Sequence, residues 1–267
     1  MDRYRVPPDR KVSLRDFDAG DTSLAEGGKK EGEAIVRGLG KRLDELQDLF
    51  YASRRQKLLI VLQGMDTSGK DGTIRKVFAS MDPLGLRVAA FKAPSEEELD
   101  HDFLWRIHRR VPGLGEVVIF NRSHYEDVLV VRVRNLVPEK VWKARYAQIN
   151  DFERMLAEAG TTIVKFFLHI DQKEQKERLQ SRLDDPTKRW KFCRGDLDDR
   201  KLWKDYTRAY EDVLSRTSTE WAPWYVVPAN KKWYRNVVVS QVLVDMLEGL
   251  DLRYPEPEDD LVGLQID

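Results

Sequence analysis

Residues 57–74, KLLIVLQGMDTSGKDGTI, set an apolar, β-rich run directly before a glycine-punctuated loop and a helix-forming stretch. Gly64, Gly69 and Lys70 match the spacing G-x-x-x-x-G-K, with the strand before and the helix after that this spacing requires. Glycines there let successive backbone N–H groups turn inward around phosphate, and the helix N-terminus adds positive potential. Lys70 is then placed to reach a phosphoryl group in flight. A chain carrying this unit is constrained to an α/β sheet whose ligands bind at the carboxyl edge of the strands.

The rest of the sequence supplies that sheet. KLLIVLQ (57–63), LRVAAFKA (86–93), EVVIFN (116–121), TTIVKFFLHI (161–170) and WYVVPA (224–229) are short and nearly continuous in hydrophobicity, which suits strands covered on both faces. Between them helices are expected over Lys70–Ser80, Ser95–Val111, Val137–Ala159, Lys173–Leu183, Leu197–Thr217 and Trp233–Leu250. Ser95 and Glu98 have the capping-box spacing. Strands alternating with helices of crossover length predict a parallel, doubly wound α/β sheet of five strands sandwiched by helices. Before it, Ile35, Leu39, Leu43, Leu46 and Leu49 recur at helical spacing within Glu31–Arg54. The expected organisation is an N-terminal arm and helix over 1–55, a core over 56–252 with a lid at about 172–200, and a tail over 253–267.

Lys plus Arg and Asp plus Glu number 46 each, so net charge calls for neither a nucleic-acid nor a membrane partner, and any basic surface must be local. The single Cys193 excludes an intramolecular disulfide framework or a multi-cysteine metal cluster and fits a reducing compartment. The N-terminus has no signal-type apolar core, and no stretch approaches the ~20 apolar residues of a membrane helix. A cytoplasmic protein is expected.

The loop departs from the common pattern. A Ser or Thr whose hydroxyl helps hold Mg²⁺ normally follows the lysine, and here Asp71 stands in its place. Asp66 lies where the loop crosses the phosphates. Carboxylates beside a polyanion repel it unless a cation lies between them, so Mg²⁺, or Mn²⁺ in its stead, is expected to bridge Asp66 to phosphate oxygens. Thr73, one turn later, is a further oxygen ligand to consider. The loop and first helical turn, Gly64, Met65, Thr67, Ser68, Gly69, Asp71, Gly72 and Thr73, form the expected phosphate-binding surface.

EVVIFNRSHYEDVLVVRV (116–133) has the layout of a Walker B strand, an apolar run ending in a polar residue, with Asn121 where an Asp is usual. Glu126 and Asp127 follow closely enough to replace that charge as metal ligands, and Arg122 would pair with phosphate bidentately. His124, between them, is given no catalytic role. After the fourth strand, ERLQSRLDDPTKRWKFCRGDLDDR carries Arg178, Arg182, Lys188, Arg189, Lys191 and Arg194, with Pro186 breaking the helix into a lid of the kind that closes over phosphates. Arg182 and Arg189 are the expected transition-state cations. Lys231, Lys232 and Arg235, with Arg132 and Arg134, would line a channel for a longer anion.

Taken together, GMDTSGKDGTI, FNRSHYEDVLVVRV, RLDDPTKRWKF and WYVVPANKKWYRN resemble the family-2 polyphosphate kinases over nearly the whole chain. The resemblance implies a thymidylate-kinase-like P-loop fold and Mg²⁺-dependent, reversible phosphoryl transfer between inorganic polyphosphate and nucleotides. Asp66 and Lys70 map onto the family's loop Asp and Lys. Asn121-Arg122 stands where many members have Asp-Arg, which looks like the class III branch that phosphorylates nucleoside mono- and diphosphates. Assembly into homodimers or tetramers is also implied. An ATP-dependent nucleoside monophosphate kinase shares the same loop and lid. A GTPase-like switch is a poorer match, because Asn230, Lys231, Lys232 and Trp233 begin like Asn-Lys-x-Asp but lack its aspartate.

Overall fold

The strand that feeds the loop is also the centre of the sheet. In the computed structural model, which describes residues 1–257 and 265, β1 (Lys57–Gln63) pairs in parallel with β3 (Val117–Asn121) on one side and β4 (Thr161–His169) on the other. Flanked by β2 (Leu86–Ala90) and β5 (Trp224–Pro228), these give a five-stranded parallel sheet in the order β2-β3-β1-β4-β5. β1 and β3 are buried almost throughout, as their unbroken Val, Leu, Ile and Phe content predicts for strands covered on both faces. From β1 the chain moves to β2 and β3 on one side, then crosses β1 to β4 and β5. That reversal opens a crevice at the carboxyl ends of the central strands.

Among the described residues ten α-helices surround the sheet: α1 (Gly28–Ser53), α2 (Lys70–Val77), α3 (Glu96–Leu99), α4 (Trp105–His108), α5 (Val130–Val133), α6 (Glu139–Glu158), α7 (Gln172–Asp184), α8 (Arg194–Lys201), α9 (Trp203–Thr217) and α10 (Lys232–Glu248). Two spans expected as single helices are broken. Ser95–Val111 holds α3, started by the reciprocal Ser95–Glu98 capping box, and then stops, because Asp102 Oδ1 takes the Leu104 amide in a local turn before α4 begins. Leu197–Thr217 contains the end of α8 and all of α9, with Leu202 at the corner. α7 ends at Asp184, ahead of Pro186.

The first 27 residues do more than extend. Val6 donates its amide to the Trp224 carbonyl at 2.8 Å and Arg5 bridges Tyr225 in antiparallel fashion, so the arm runs along the outer edge of β5. Tyr4, Val6, Val12, Leu14, Ala19 and Ala25 are buried. Tyr4 and Tyr234 share a hydroxyl contact of 2.5 Å, and Tyr4 donates to Asp21 at 2.6 Å, which fixes the arm to the start of α10. α1 lies along α10, with Gly32 leaving room for the Trp233 ring, so that ring is occupied in packing. Of the tail expected over 253–267, residues 258–264, 266 and 267 lie outside the described residues. Among the described residues no helix is long and apolar enough to cross a membrane.

Candidate active site

The loop after β1 takes its shape from backbone conformations that side chains resist. Gly64 has φ 153° and Gly69 φ 103°; a Cβ on Gly64 would lie 2.8 Å from the Leu168 carbonyl oxygen, and one on Gly69 would collide with the Arg235 guanidinium. Thr67, at φ 67°, holds a left-handed conformation that a β-branched residue adopts only under constraint. Met65 is buried, and the hydroxyls of Thr67 and Ser68 are buried without a partner among the described residues. Lys70 folds across the loop, its Nζ donating to the Gly64 carbonyl at 2.7 Å and the Met65 carbonyl at 3.4 Å. Burial pulls its pKa down to about 8, and Arg122 adds to the depression against Asp66, Glu126 and Asp71. A phosphate entering the loop would relieve that depression by supplying negative charge.

Two guanidiniums hold the loop from behind. Arg178, on α7, donates through Nη1 to the carbonyls of Thr67 (2.9 Å) and Ser68 (3.1 Å), and through Nη2 to those of Ala229 (2.6 Å) and Asn230 (3.0 Å). Its Nε is bonded to Glu174 at 2.7 Å. With its donors so engaged, Arg178, counted in sequence among the lid cations, holds the loop to the segment after β5. Arg235, expected to line a channel, is 2% exposed and reaches the Ser68 carbonyl at 3.4 Å and Asn236 Oδ1 at 2.8 Å. Burial and the neighbouring Arg178 lower its pKa to about 9. Turning the loop carbonyls outward onto arginines leaves its amides for the anion. Gly72 lies beside Arg235, and the buried Thr73 hydroxyl donates to the Gly69 carbonyl, closing the first turn of α2.

The facing wall comes from the end of β3. Asn121 Nδ2 donates to Asp71 Oδ1 at 2.8 Å, so the carboxylate that replaces the usual hydroxyl is held by the residue that replaces the usual aspartate. Arg122, at φ 62°, turns its side chain back onto the loop, where Nη2 meets Asp66 Oδ1 at 3.1 Å. Burial opposes the Arg122 charge, but Glu126 and Asp66 outweigh it and raise its pKa. Lys70, Arg122, Asp66 and Glu126 therefore act on one another as a single cluster, with buried Tyr210 of α9 beside them. Asp127 is placed differently from Glu126. Its Oδ1 accepts from Arg145 Nη1 at 2.9 Å, and burial lifts its pKa to about 6 against the pull of Arg145 and Arg106.

The lid cations occupy the segment from α7 to α8. Arg182 donates to the Lys191 carbonyl at 3.1 Å and lies 3.6 Å from Asp196, Arg189 Nε donates to the Leu183 carbonyl at 2.8 Å, and Lys188 pairs with Asp185. Lys231 and Lys232 are exposed at the start of α10, and burial with the nearby Arg178, Arg235 and Lys188 lowers the Lys232 pKa. Arg132 and Arg134 are tied to Asp212 and Asp199, each at 2.6 Å.

Asp66 and Glu126 offer hard carboxylate oxygens facing the phosphate loop, the donor type suited to a divalent cation that keeps water and phosphate in its remaining positions. No three His, Cys, Asp or Glu side chains among the described residues close into a complete cage. The model of the family described as polyphosphate kinase 2 (PPK2) matches residues 26–255. The chain belongs to the polyphosphate kinase 2 family. It is 60% identical over 258 residues to the AMP/ADP-polyphosphate phosphotransferase of Meiothermus ruber, covering 97% of both chains. To the ADP-polyphosphate phosphotransferase of Rhodopseudomonas palustris it is 43% identical, over 95% of this chain and 92% of the other. The crystal structure of polyphosphate kinase 2 from Arthrobacter aurescens superposes with a TM-score of 0.93 at 48% identity, covering 97% of this chain and 93% of that one.

Two features of this polyphosphate kinase 2 chain escape sequence reasoning. Arg178 and Arg235 sit in charged stretches that read as surface, and only the apolar run that follows Arg235 in α10 hints at its burial. Tyr210 lies on the buried stripe of α9, where an aromatic reads as core.

Proposed function

We propose that the protein moves a phosphoryl group from inorganic polyphosphate to nucleoside mono- and diphosphates, AMP to ADP and ADP to ATP. The reading is carried by the cluster of Lys70, Arg122, Asp66 and Glu126 over a loop already fixed for phosphate, in a chain 60% identical to a relative named for AMP and ADP transfer. The nucleophile is an α- or β-phosphate oxygen of the nucleotide, ionised at neutral pH, so no strong general base is needed. As the new P–O bond forms, the terminal P–O bond of polyphosphate breaks in line, and the shortened chain leaves as an anion. Lys70, Arg122 and the lid residues Arg182 and Arg189 neutralise the equatorial oxygens. Bonds broken and made are both phosphoanhydrides, so the reaction runs in either direction.

Asp66 and Glu126 would hold Mg²⁺, with Asp127 the third carboxylate expected to join them, and the ion when bound would supply charge neutralisation for the phosphates. Asp127, paired with Arg145, fixes the segment that presents Glu126. Closure of residues 172–200 excludes water, and Lys188, Lys231 and Lys232 extend the cationic path for a long donor. A reducing, cytoplasmic setting suits the exposed Cys193, and a homodimer or tetramer is the expected assembly. Incubation with AMP, Mg²⁺ and polyphosphate in the absence of ATP tests the reading: ADP should accumulate. No ADP from polyphosphate, together with ADP from AMP plus ATP, would establish an ordinary monophosphate kinase instead.

A further inference from the structure

A lysine in the middle of a buried parallel strand needs a reason. Lys165, on β4, is fully buried, and its Nζ donates to Glu153 Oε2 of α6 at 2.5 Å, to the Tyr125 hydroxyl at 2.7 Å and to the Thr217 carbonyl at 2.6 Å. Glu153, equally buried, accepts on Oε1 from the Tyr125 hydroxyl at 2.8 Å and lies 3.1 Å from His124 Nε2. Burial keeps His124 neutral, so Nε2–H donates to the carboxylate, leaving Nδ1 without a partner among the described residues. Burial opposes the Glu153 charge too, but Lys165 and His124 outweigh it, while burial brings Lys165 down to about 8; the pair is ionised at neutral pH.

The partners of this pair have one thing in common. His124 and Tyr125 lie in the short 3-10 turn His124–Val128, between Arg122 and Glu126. The residues on either side are anchored as well: Ser123 Oγ takes the Gln63 amide group and the Tyr125 backbone N–H at 3.2 Å each, and Asp127 is fixed by Arg145. Arg122 and Glu126 are thus strung between inward-facing anchors, and Arg122 keeps its left-handed backbone. At the other end, Thr217 is the last residue of α9, the helix that brings Tyr210 against the same cluster and follows the lid. Its hydroxyl accepts from Trp224 Nε1 at 2.9 Å, and the Trp224 ring packs edge-on to Tyr125 at 4.8 Å. A cation at a helix C-terminus is favourable, but a buried ion pair as a whole adds little to stability compared with apolar residues of similar volume.

We infer that Lys165 and Glu153 are positioning residues that fix the segment bearing Arg122 and Glu126, and tie it to the end of the helix that follows the lid. The inference rests on phosphoryl transfer at this site, and the test has a readout that does not depend on it. Lys165→Met combined with Glu153→Leu removes both charges together, so neither is stranded. In this variant amide exchange of residues 122–128 should quicken by about tenfold or more while β1 and β3 keep their protection. Polyphosphate-driven kcat should fall by about tenfold with KM for the nucleotide changed less than about threefold. Exchange at 122–128 equal to the parent's overturns the inference whatever the activity, and so does a kcat within about twofold of an active parent's. If the double variant fails to fold, Tyr125→Phe, which strands no charge, takes its place with the same two readouts and the same overturning result. A parent that makes no ADP from polyphosphate would instead count against the proposed activity, leaving exchange to decide the positioning role.

Discussion

Replacing Lys70 by methionine should stabilise the ligand-free protein while abolishing turnover. Burial, with Arg122 adding to it, brings the Lys70 pKa from the ordinary 10.5 to about 8 despite Asp66, Glu126 and Asp71. At about 1.4 kcal/mol per pH unit, that depression corresponds to a folded-state cost of about 3 kcal/mol at neutral pH, where the ammonium is charged in folded and unfolded chains alike. Methionine removes the cost, and with it the two bonds from Nζ to the carbonyls of Gly64 and Met65, worth about 1 kcal/mol each. The net expectation is a gain of about 1 kcal/mol, raising Tm by about 2 °C. The sign with pH follows from the lowered pKa. Between pH 8 and 10.5 the unfolded chain binds more protons at this position than the folded one, so the parent gains stability as pH rises through that window. The variant has no such gain, and its advantage should vanish by about pH 10. Urea unfolding at neutral and alkaline pH, alongside polyphosphate turnover, measures both effects. A variant less stable than the parent at neutral pH, or a difference that does not change with pH, refutes the view of Lys70 as a desolvated cation awaiting its anion. Residual turnover above about a thousandth of the parent's would refute its part in transfer.

Asp66→Asn leaves Arg122 without the carboxylate 3.1 Å away and should lower kcat by about a hundredfold or more, with a raised Mg²⁺ requirement in a metal titration; unchanged values on both counts remove Asp66 from the metal site. Glu126→Ala should impair AMP phosphorylation more than ADP phosphorylation, checked by comparing kcat/KM on the two acceptors; equal losses defeat that division of labour. Arg178→Met strips two bonds to the phosphate loop and two to the segment after β5 and leaves Glu174 unpaired, so it should destabilise the fold by about 3 kcal/mol in urea melts and loosen the loop in amide exchange. Wild-type exchange at residues 64–69 would show that the loop holds its shape without the clamp.

The phosphate loop and the strands around it were legible because they are written in the backbone's own terms. Two glycines at fixed separation can mean left-handed turns, and a run such as KLLIVLQ has few homes other than the middle of a covered sheet. The roles of charged residues were harder to read. Arg178 sits four residues from Glu174, a spacing that reads as a solvated helical pair, and its bonds to Thr67, Ser68, Ala229 and Asn230 join segments that only the fold brings together. Asp127 and Glu126 are neighbours in sequence yet meet different charges, because successive residues of a tight turn point apart. Lys165 did interrupt an apolar run, a signal present in the sequence, but its partners come from α6, α9 and the turn after β3.

The arm beside β5 bears on how copies of this chain can meet. A sheet with two bare edges can add strands at both ends and grow without limit. Here the arm occupies β5 around Tyr225, while β2 at the opposite margin leaves Val88 and Ala90 exposed. Among the described residues β2 has no strand on its outer side, so copies joining edge to edge through β2 would be self-terminating: two chains would use up both such margins.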